Sequence, residues 1–140
     1  MNPIPKTLLA GLVLALCMTG CKAANTPLPS GAINATDASL NANLQAAHAG
    51  LVQYEADVTA GKHTPDATEK LIVNKVIVSL NLADLLYCGA PDVGSPCAPA
   101  SYHAQLVANP AAGEPQQLID AMLAVTANLS ALQTMIQGVK

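Results

Sequence analysis

The sequence contains no tryptophan, no phenylalanine and no arginine, and the aromatic share is 2% of its 140 residues. Charged residues make up 11%, with six lysines against nine carboxylates for a net charge of −3. Nucleic-acid binding needs clustered cations and usually aromatic stacking surfaces, and phosphate clamps built on arginine forks are excluded. Because apolar residues make up 51%, we expect one folded domain that does not bind nucleic acid.

The first 20 residues have the pattern of a secretory signal. Lys6 supplies a positive charge, and an apolar run of eleven residues follows from Leu8 to Met18. A lasting transmembrane helix needs about 20 apolar residues, so this run is too short to be one. The small residues Thr19 and Gly20 come next, and they precede Cys21.

The segment Met18-Thr19-Gly20-Cys21 resembles the lipobox of bacterial lipoproteins. The resemblance covers residues 1–21 alone and implies that a peptidase removes residues 1–20. It also implies that Cys21 carries a diacylglyceryl group and an acyl chain such as palmitate, which would anchor the protein to a membrane. Lys22 stands where an Asp would favour the inner membrane, which implies the outer membrane if the source is Gram-negative. The alternative is a secreted protein cut near Gly20 with a free cysteine.

Two cysteines remain for the domain, Cys88 and Cys97, on either side of a loop rich in glycine and proline. An even number of cysteines in an exported protein predicts a disulfide. A redox pair would be spaced as C-x-x-C, and a zinc site would need two more ligands, of which only His103 is a candidate. We therefore expect a structural disulfide, no metal and no cofactor.

Apolar residues at steps of three and four predict an all-α fold. Residues 21–35 have no such period and are interpreted as an acylated N-terminus and tether, which leaves 36–140 as the domain. Three long helices and one short helix are predicted to form a small antiparallel bundle with one disulfide-closed loop. The predicted helices run from the N-cap Thr36 to Gly61, from the N-cap Thr64 through 65–88, from Ser101 to Ala108, and from near Pro115 to Gly138.

The second predicted helix is apolar around most of its circumference, which favours a position between other helices. A strand is the alternative over residues 71–78, because β-branched residues are frequent there. Lys75 falls on the side that is predicted to be covered. One interpretation is that Lys75 contacts a ligand or is a buried charge. The other is that its aliphatic stem lies along the edge of the helix and its ammonium group reaches solvent.

No pattern in the sequence indicates an enzyme. His48, His63 and His103 lack the spacing of metal ligands, and neither a nucleophile motif nor a phosphate-binding loop is present. We expect exposed histidines. The carboxylate pairs Glu55 with Asp57 and Asp66 with Glu69 are likewise expected to be solvated.

These observations predict a non-catalytic, lipid-anchored lipoprotein of the bacterial envelope that binds another protein or has a structural role. It would be exposed on the surface or face the periplasm, at the outer membrane if the source is Gram-negative. Its candidate partner contacts are Tyr87, Asp92, Val93 and Tyr102, around the cystine loop. The two tyrosines have a second interpretation, as core residues beside the disulfide. The alternative function is a carrier of a small apolar ligand, with a cavity between the helices.

Overall fold

The computed structural model describes residues 31–89 and 97–138, and within these ranges the chain is helical without strands. The helices are α1 (Ala35–Thr59), α2 (Ala67–Tyr87), α3 (Tyr102–Ala108) and α4 (Gln116–Gly138). The predicted all-α bundle of three long helices and one short helix is confirmed. The strand alternative for residues 71–78 is wrong, because this stretch lies inside α2.

Two of the predicted helix starts are corrected by two residues each. Asn34 caps α1, and its side chain accepts the N–H of Asp37 at 2.8 Å. Asp66 caps α2 in the same way, by accepting the N–H of Glu69 at 2.8 Å. Asn and Asp are at least as good as Thr at this position, so the threonines nearby are not needed as caps. The predicted cap of α3, Ser101, is confirmed.

The core is built from one apolar stripe on each long helix. Helix α2 is the central element, since it contacts α1, α3 and α4. Burial of these stripes removes apolar surface from water and is the main favourable contribution to folding. The core residues are Leu40, Leu44, Ala47 and Leu51 of α1, Val76, Leu80, Ala83 and Tyr87 of α2, Tyr102 and Leu106 of α3, and Leu118, Ala121, Val125 and Leu129 of α4.

Helix α2 is nevertheless not covered on all sides, which corrects the prediction. Leu71, Val78, Leu82 and Leu85 are 59%, 61%, 47% and 62% exposed. Lys75 is also exposed, so the prediction that it is covered is wrong. The physical reason is the number of elements: α1 and α4 pack on the inner half of α2, and the described residues contain no further long helix to cover the outer half.

Helix α4 is long and apolar enough to cross a membrane by length and composition over Gln116–Ile136, and no other helix in residues 31–89 and 97–138 passes this test. The core helix of a globular domain passes it too. One stripe of α4, which includes Leu118, Val125 and Leu129, is at most 4% exposed in the bundle core, and 22% of the apolar window is buried.

Candidate functional site

The base of the cystine loop lies at the C-terminal end of α2. A disulfide joins Cys88 and Cys97, whose Cα atoms are 4.6 Å apart, so the predicted disulfide is confirmed. The N–H of Ala98 donates to the carbonyl of Cys88 at 2.7 Å, which closes the loop a second time. The predicted contacts Asp92 and Val93 lie outside the described residues, as does the predicted lipidation site Cys21.

Gly89 makes the sharp exit from α2 into this loop. Its φ is +66°, and a Cβ atom there would lie 3.0 Å from the Cβ of Ala98 and 3.1 Å from the carbonyl oxygen of Leu85. A side chain would therefore meet both a left-handed backbone and a crowded neighbour. The N–H of Gly89 donates to the carbonyl of Asp84 at 2.9 Å, which holds the turn against the helix end.

The two tyrosines beside the loop are core residues, so the prediction that they are partner contacts is wrong. Tyr87 is 8% exposed and Tyr102 is 1% exposed. The hydroxyl of Tyr102 donates to the carbonyl of Ala112 at 3.1 Å, and that of Tyr87 donates to Asp37 at 2.8 Å. In a chain without Trp or Phe these rings are the largest apolar groups that the core can bury, and each hydroxyl finds an acceptor.

A buried carboxylate lies next to the C-terminal end of α2. Asp37 is 1% exposed. Its Oδ1 accepts the hydroxyl of Tyr87 at 2.8 Å and lies 2.9 Å from Nδ1 of His103, and its Oδ2 accepts the N–H of Ile33 at 3.0 Å. The rings of Tyr87 and His103 meet edge to face with centroids 5.7 Å apart. We call Asp37, Tyr87 and His103 the loop-end cluster.

The electrostatics of the loop-end cluster favour an ionised Asp37. Burial alone would raise the pKa of Asp37, but the hydrogen bonds from Ile33, His103 and Tyr87 outweigh it and hold the pKa below its ordinary value. Burial and the bond to Asp37 raise the pKa of the Tyr87 phenol. At neutral pH the cluster is therefore a carboxylate that accepts a hydrogen bond from a neutral phenol.

A second cluster of the same composition lies at the other end of α1 and α2. Glu69 is 2% exposed, which corrects the prediction that it is solvated. Its Oε1 accepts the hydroxyl of Tyr54 at 2.8 Å and also contacts Nε2 of His63. The two rings meet edge to face at 5.9 Å. Burial and the bond to Glu69 raise the pKa of Tyr54. We call Tyr54, Glu69 and His63 the far-end cluster.

The two clusters share a sequence signal that the predictions from sequence missed. Each carboxylate ends a tetrapeptide of an amide or acid, Ala, Thr and an acid, namely Asn34-Ala35-Thr36-Asp37 and Asp66-Ala67-Thr68-Glu69, which lie 32 positions apart. A tyrosine follows 17 residues after Asp37 and 18 residues after Glu69. Because α1 and α2 are antiparallel, each tyrosine reaches the carboxylate of the other helix and not the one that precedes it.

The expectation of exposed histidines holds for one of the three. His48 has a half-exposed side chain and pairs with Asp84 at 2.7 Å, between the middle of α1 and the last turns of α2. The side chains of His63 and His103 are only 12% and 24% exposed, so the expectation is wrong for both. Asp57 is also buried, at 5% exposure, and accepts Lys62 at 3.1 Å, which corrects its predicted solvation.

The polar side chains of the two clusters form contacts between the helices and their connections. In residues 31–89 and 97–138, every fully buried side-chain nitrogen or oxygen has a hydrogen-bond partner. The same residues contain no group of three or more His, Cys, Asp or Glu side chains that could hold a metal ion. Satisfied buried networks hold elements in one arrangement, and here they join α1 to α2 at both ends.

A groove of about 400 Å³ lies between the start of α1 and the first half of α4. Its walls combine apolar side chains with hydroxyl and amide groups, and Glu114 is the single charged residue among them. The lining residues are Ala35, Thr36, Ser39, Leu40, Asn43, Glu114, Ile119, Met122, Leu123 and Thr126.

Lys75 takes part in neither cluster and does not line the groove. Its exposed side chain has the solvent access that is expected of a lysine at a helix edge. Its carbonyl accepts the hydroxyl of Ser79 at 2.9 Å, which is a contact within α2. The structure therefore gives no support to Lys75 as a buried charge.

Comparison of the chain with models of protein families, with curated proteins and with solved structures finds no match.

Proposed function

We propose that this protein is a membrane-anchored, non-catalytic lipoprotein of the bacterial envelope, whose helical bundle presents the cystine loop to another protein. In this proposal residues 1–20 are removed, Cys21 is acylated, and the domain faces the periplasm from the outer membrane if the source is Gram-negative. The order of positive charge, apolar run, small residues and cysteine in residues 1–21 supports the anchor.

The observation that carries the proposed site is the rigid base of the loop. The disulfide, the bond from Ala98 to Cys88 and the loop-end cluster together hold this end of the bundle. A loop whose ends are fixed loses less conformational entropy when it binds than a free segment would. Recognition by a short loop on a rigid scaffold is therefore favoured here.

The engagement of the polar side chains supports a non-catalytic role. A histidine that acts as a general base must reach the proton of a bound substrate. Here His63 and His103 are largely buried, and each contacts a buried carboxylate and the edge of a tyrosine ring. His63, which precedes α2, contacts Glu69, and His103 of α3 contacts Asp37 of α1, so both side chains hold neighbouring elements together.

Metabolic labelling tests the anchor. Radiolabelled palmitate should enter the wild-type chain and should not enter the Cys21→Ser variant, because the thiol is the proposed acceptor. Equal labelling of both chains would show that the anchor has been placed wrongly.

Site-specific photocrosslinking tests the loop. A photoreactive amino acid at Val93, in the loop, should give a discrete protein adduct in envelope membranes. The same group at Val52, which is 66% exposed on α1, is the matched control and should give none. Adducts from Val52 alone would contradict the loop as the site. Full rescue of the deletion phenotype by a chain in which both Asp92 and Val93 are replaced would also contradict it.

The groove between α1 and α4 favours a second candidate function, the binding of a small apolar ligand. Its volume of about 400 Å³ lies within the range of ligand pockets, about 300–1,000 Å³. Displacement of a fluorescent fatty acid by oleate would test it. Met122→Trp fills the groove and should abolish binding, whereas Val52→Trp, outside the groove, should leave it unchanged.

A further inference from the structure

Four large apolar side chains are exposed on one face of α2, and the exposed polar residues Asn74 and Lys75 lie between the first and the second of them. Leu71, Val78, Leu82 and Leu85 recur at steps of seven, four and three, which places them on one face of the helix. They are between 47% and 62% exposed. The row is about 21 Å long, from 1.5 Å of rise per residue. We call these four residues the α2 row.

The charges beside the α2 row are all positive. Lys70 and Lys75 are exposed. By the helical period of 100° per residue, Lys75 lies beside the row between Leu71 and Val78, about 50° from its centre, and Lys70 lies about 90° away on the other side. The carboxylates of α2 and its cap are engaged elsewhere: Glu69 is buried in the far-end cluster, Asp84 pairs with His48 of α1, and the exposed N-cap Asp66 accepts the N–H of Glu69. This face is unusual in a domain whose described residues contain three lysines and eight carboxylates.

We propose that the α2 row docks on the anionic lipid surface of the membrane to which the protein is anchored. An amphipathic helix with leucine and valine on one face and lysines at its borders lies in the headgroup region in this way, with the lysine stems extending along the apolar surface. The lysines attract anionic headgroups, whereas the acidic remainder of the domain faces away from them.

The position of the chain entry fits this orientation, and here the inference rests on the proposed anchor at Cys21. Residues 21–31 can span at most about 36 Å, from 3.6 Å per residue. The described chain enters α1 next to the C-terminal end of α2, since Tyr87 contacts Asp37. Leu85 is one half-turn from Tyr87, so the row begins at the end of the bundle that the anchor holds near the membrane.

A row of four side chains binds lipid weakly by itself, because only part of each side chain can enter the interface. The anchor changes this, since it makes docking an intramolecular event at a high effective concentration. The α2 row therefore orients a domain that the acyl chains already hold, and it places α1 and α4 away from the bilayer.

The absence of tryptophan provides a direct test. A single Val78→Trp substitution puts the only indole in the middle of the α2 row. Val52→Trp on α1 is the control, because the two valines are 61% and 66% exposed. The full-length acylated chain is bound to vesicles of phosphatidylcholine and phosphatidylglycerol, with or without brominated lipid. Tryptophan emission should shift to the blue and be quenched in Val78→Trp and not in Val52→Trp.

The charge dependence is measured on the acylated Val78→Trp chain, as the fraction of its indole that brominated lipid quenches. Replacing Lys70 and Lys75 by glutamine should lower the ratio of docked to undocked domain on anionic vesicles about fivefold for each lysine. On vesicles of phosphatidylcholine alone this ratio should be equal with and without the lysine replacements. Circular dichroism of each variant confirms that the bundle is folded.

Equal quenching of Val78→Trp and Val52→Trp, or quenching of neither, would overturn the docking. A blue shift of Val78→Trp without vesicles that grows with protein concentration would also overturn it, since a second copy would then cover the row. Failure of the anchor is a separate result, because it is read from palmitate incorporation at Cys21. A Val78→Trp chain that is labelled and bound to vesicles, but whose indole is unquenched, keeps the anchor and loses the docking.

Discussion

Replacing Asp37 by asparagine tests the loop-end cluster with the smallest change of shape. The carboxylate uses both oxygens: Oδ1 contacts Tyr87 and His103, and Oδ2 accepts the N–H of Ile33. Asparagine has one acceptor oxygen, so its NH2 group must face a donor on one side. The substitution also removes a negative charge that polarises three hydrogen bonds.

The expected loss is large compared with the stability of a domain of this size. A hydrogen bond to a charged group contributes about 1.5–3 kcal/mol, and a buried donor left without an acceptor costs about 1–3 kcal/mol. Because the remaining oxygen can still accept one or two of the donors, we expect Asp37→Asn to lower the free energy of unfolding by about 2–4 kcal/mol. Typical domains have about 5–15 kcal/mol in total.

The effect should depend on pH in a defined direction. The pKa of Asp37 is lower in the folded chain than its ordinary value of 3.8. Its stabilising contribution is therefore fully present above the unfolded-state pKa and is lost as the pH falls through the folded-state pKa. The difference between wild type and Asp37→Asn should shrink as the pH falls below about pH 4.

Urea unfolding followed by circular dichroism at 222 nm measures these differences, at several pH values and with the disulfide intact. Asp120→Asn is the matched control, since Asp120 is an exposed helix residue with a partner in its own helix, Gln116. It should change the free energy of unfolding by less than about 0.5 kcal/mol. Equal midpoints for Asp37→Asn and wild type, or equal losses in both variants, would refute the reasoning.

Three further predictions concern the bundle and the loop. Val76→Asp buries an unpaired charge at a site that is 0% exposed and should cost several kcal/mol, whereas Asn81→Asp at an exposed site of the same helix should cost little, as thermal unfolding would show. Gly89→Ala should lower stability by more than about 1 kcal/mol because of its positive φ and the contact at 3.0 Å, and Gly113→Ala, with open space around it, should not. Reduction of the disulfide should cost about 2.5–3 kcal/mol by the loop-entropy relation, and unchanged unfolding after reduction would contradict its structural role.

The helices and the disulfide could be predicted from the sequence because both depend on short-range information. Apolar periods of three and four are properties of one segment, and the disulfide followed from counting the cysteines that remained after residue 21. The start of α1 does not follow from the same short-range information, since Thr36 and Asn34 are both good caps in isolation. Asn34 is the cap in the structure, and its side chain accepts the N–H of Asp37. The carboxylate of Asp37 is itself held by Tyr87 and His103 from other helices.

The sequence by itself determined which segments are helical, where the turns fall and which cysteines pair. Only the tertiary structure decided that Asp37 and Glu69 are buried, because a carboxylate in a first helical turn is normally solvated. It becomes buried here since the antiparallel packing of α1 and α2 brings a tyrosine from the far end of the neighbouring helix onto it. The tertiary structure also decided that the α2 row is exposed. An apolar helix face is covered only if another element packs on it, and the described helices pack on the other side of α2.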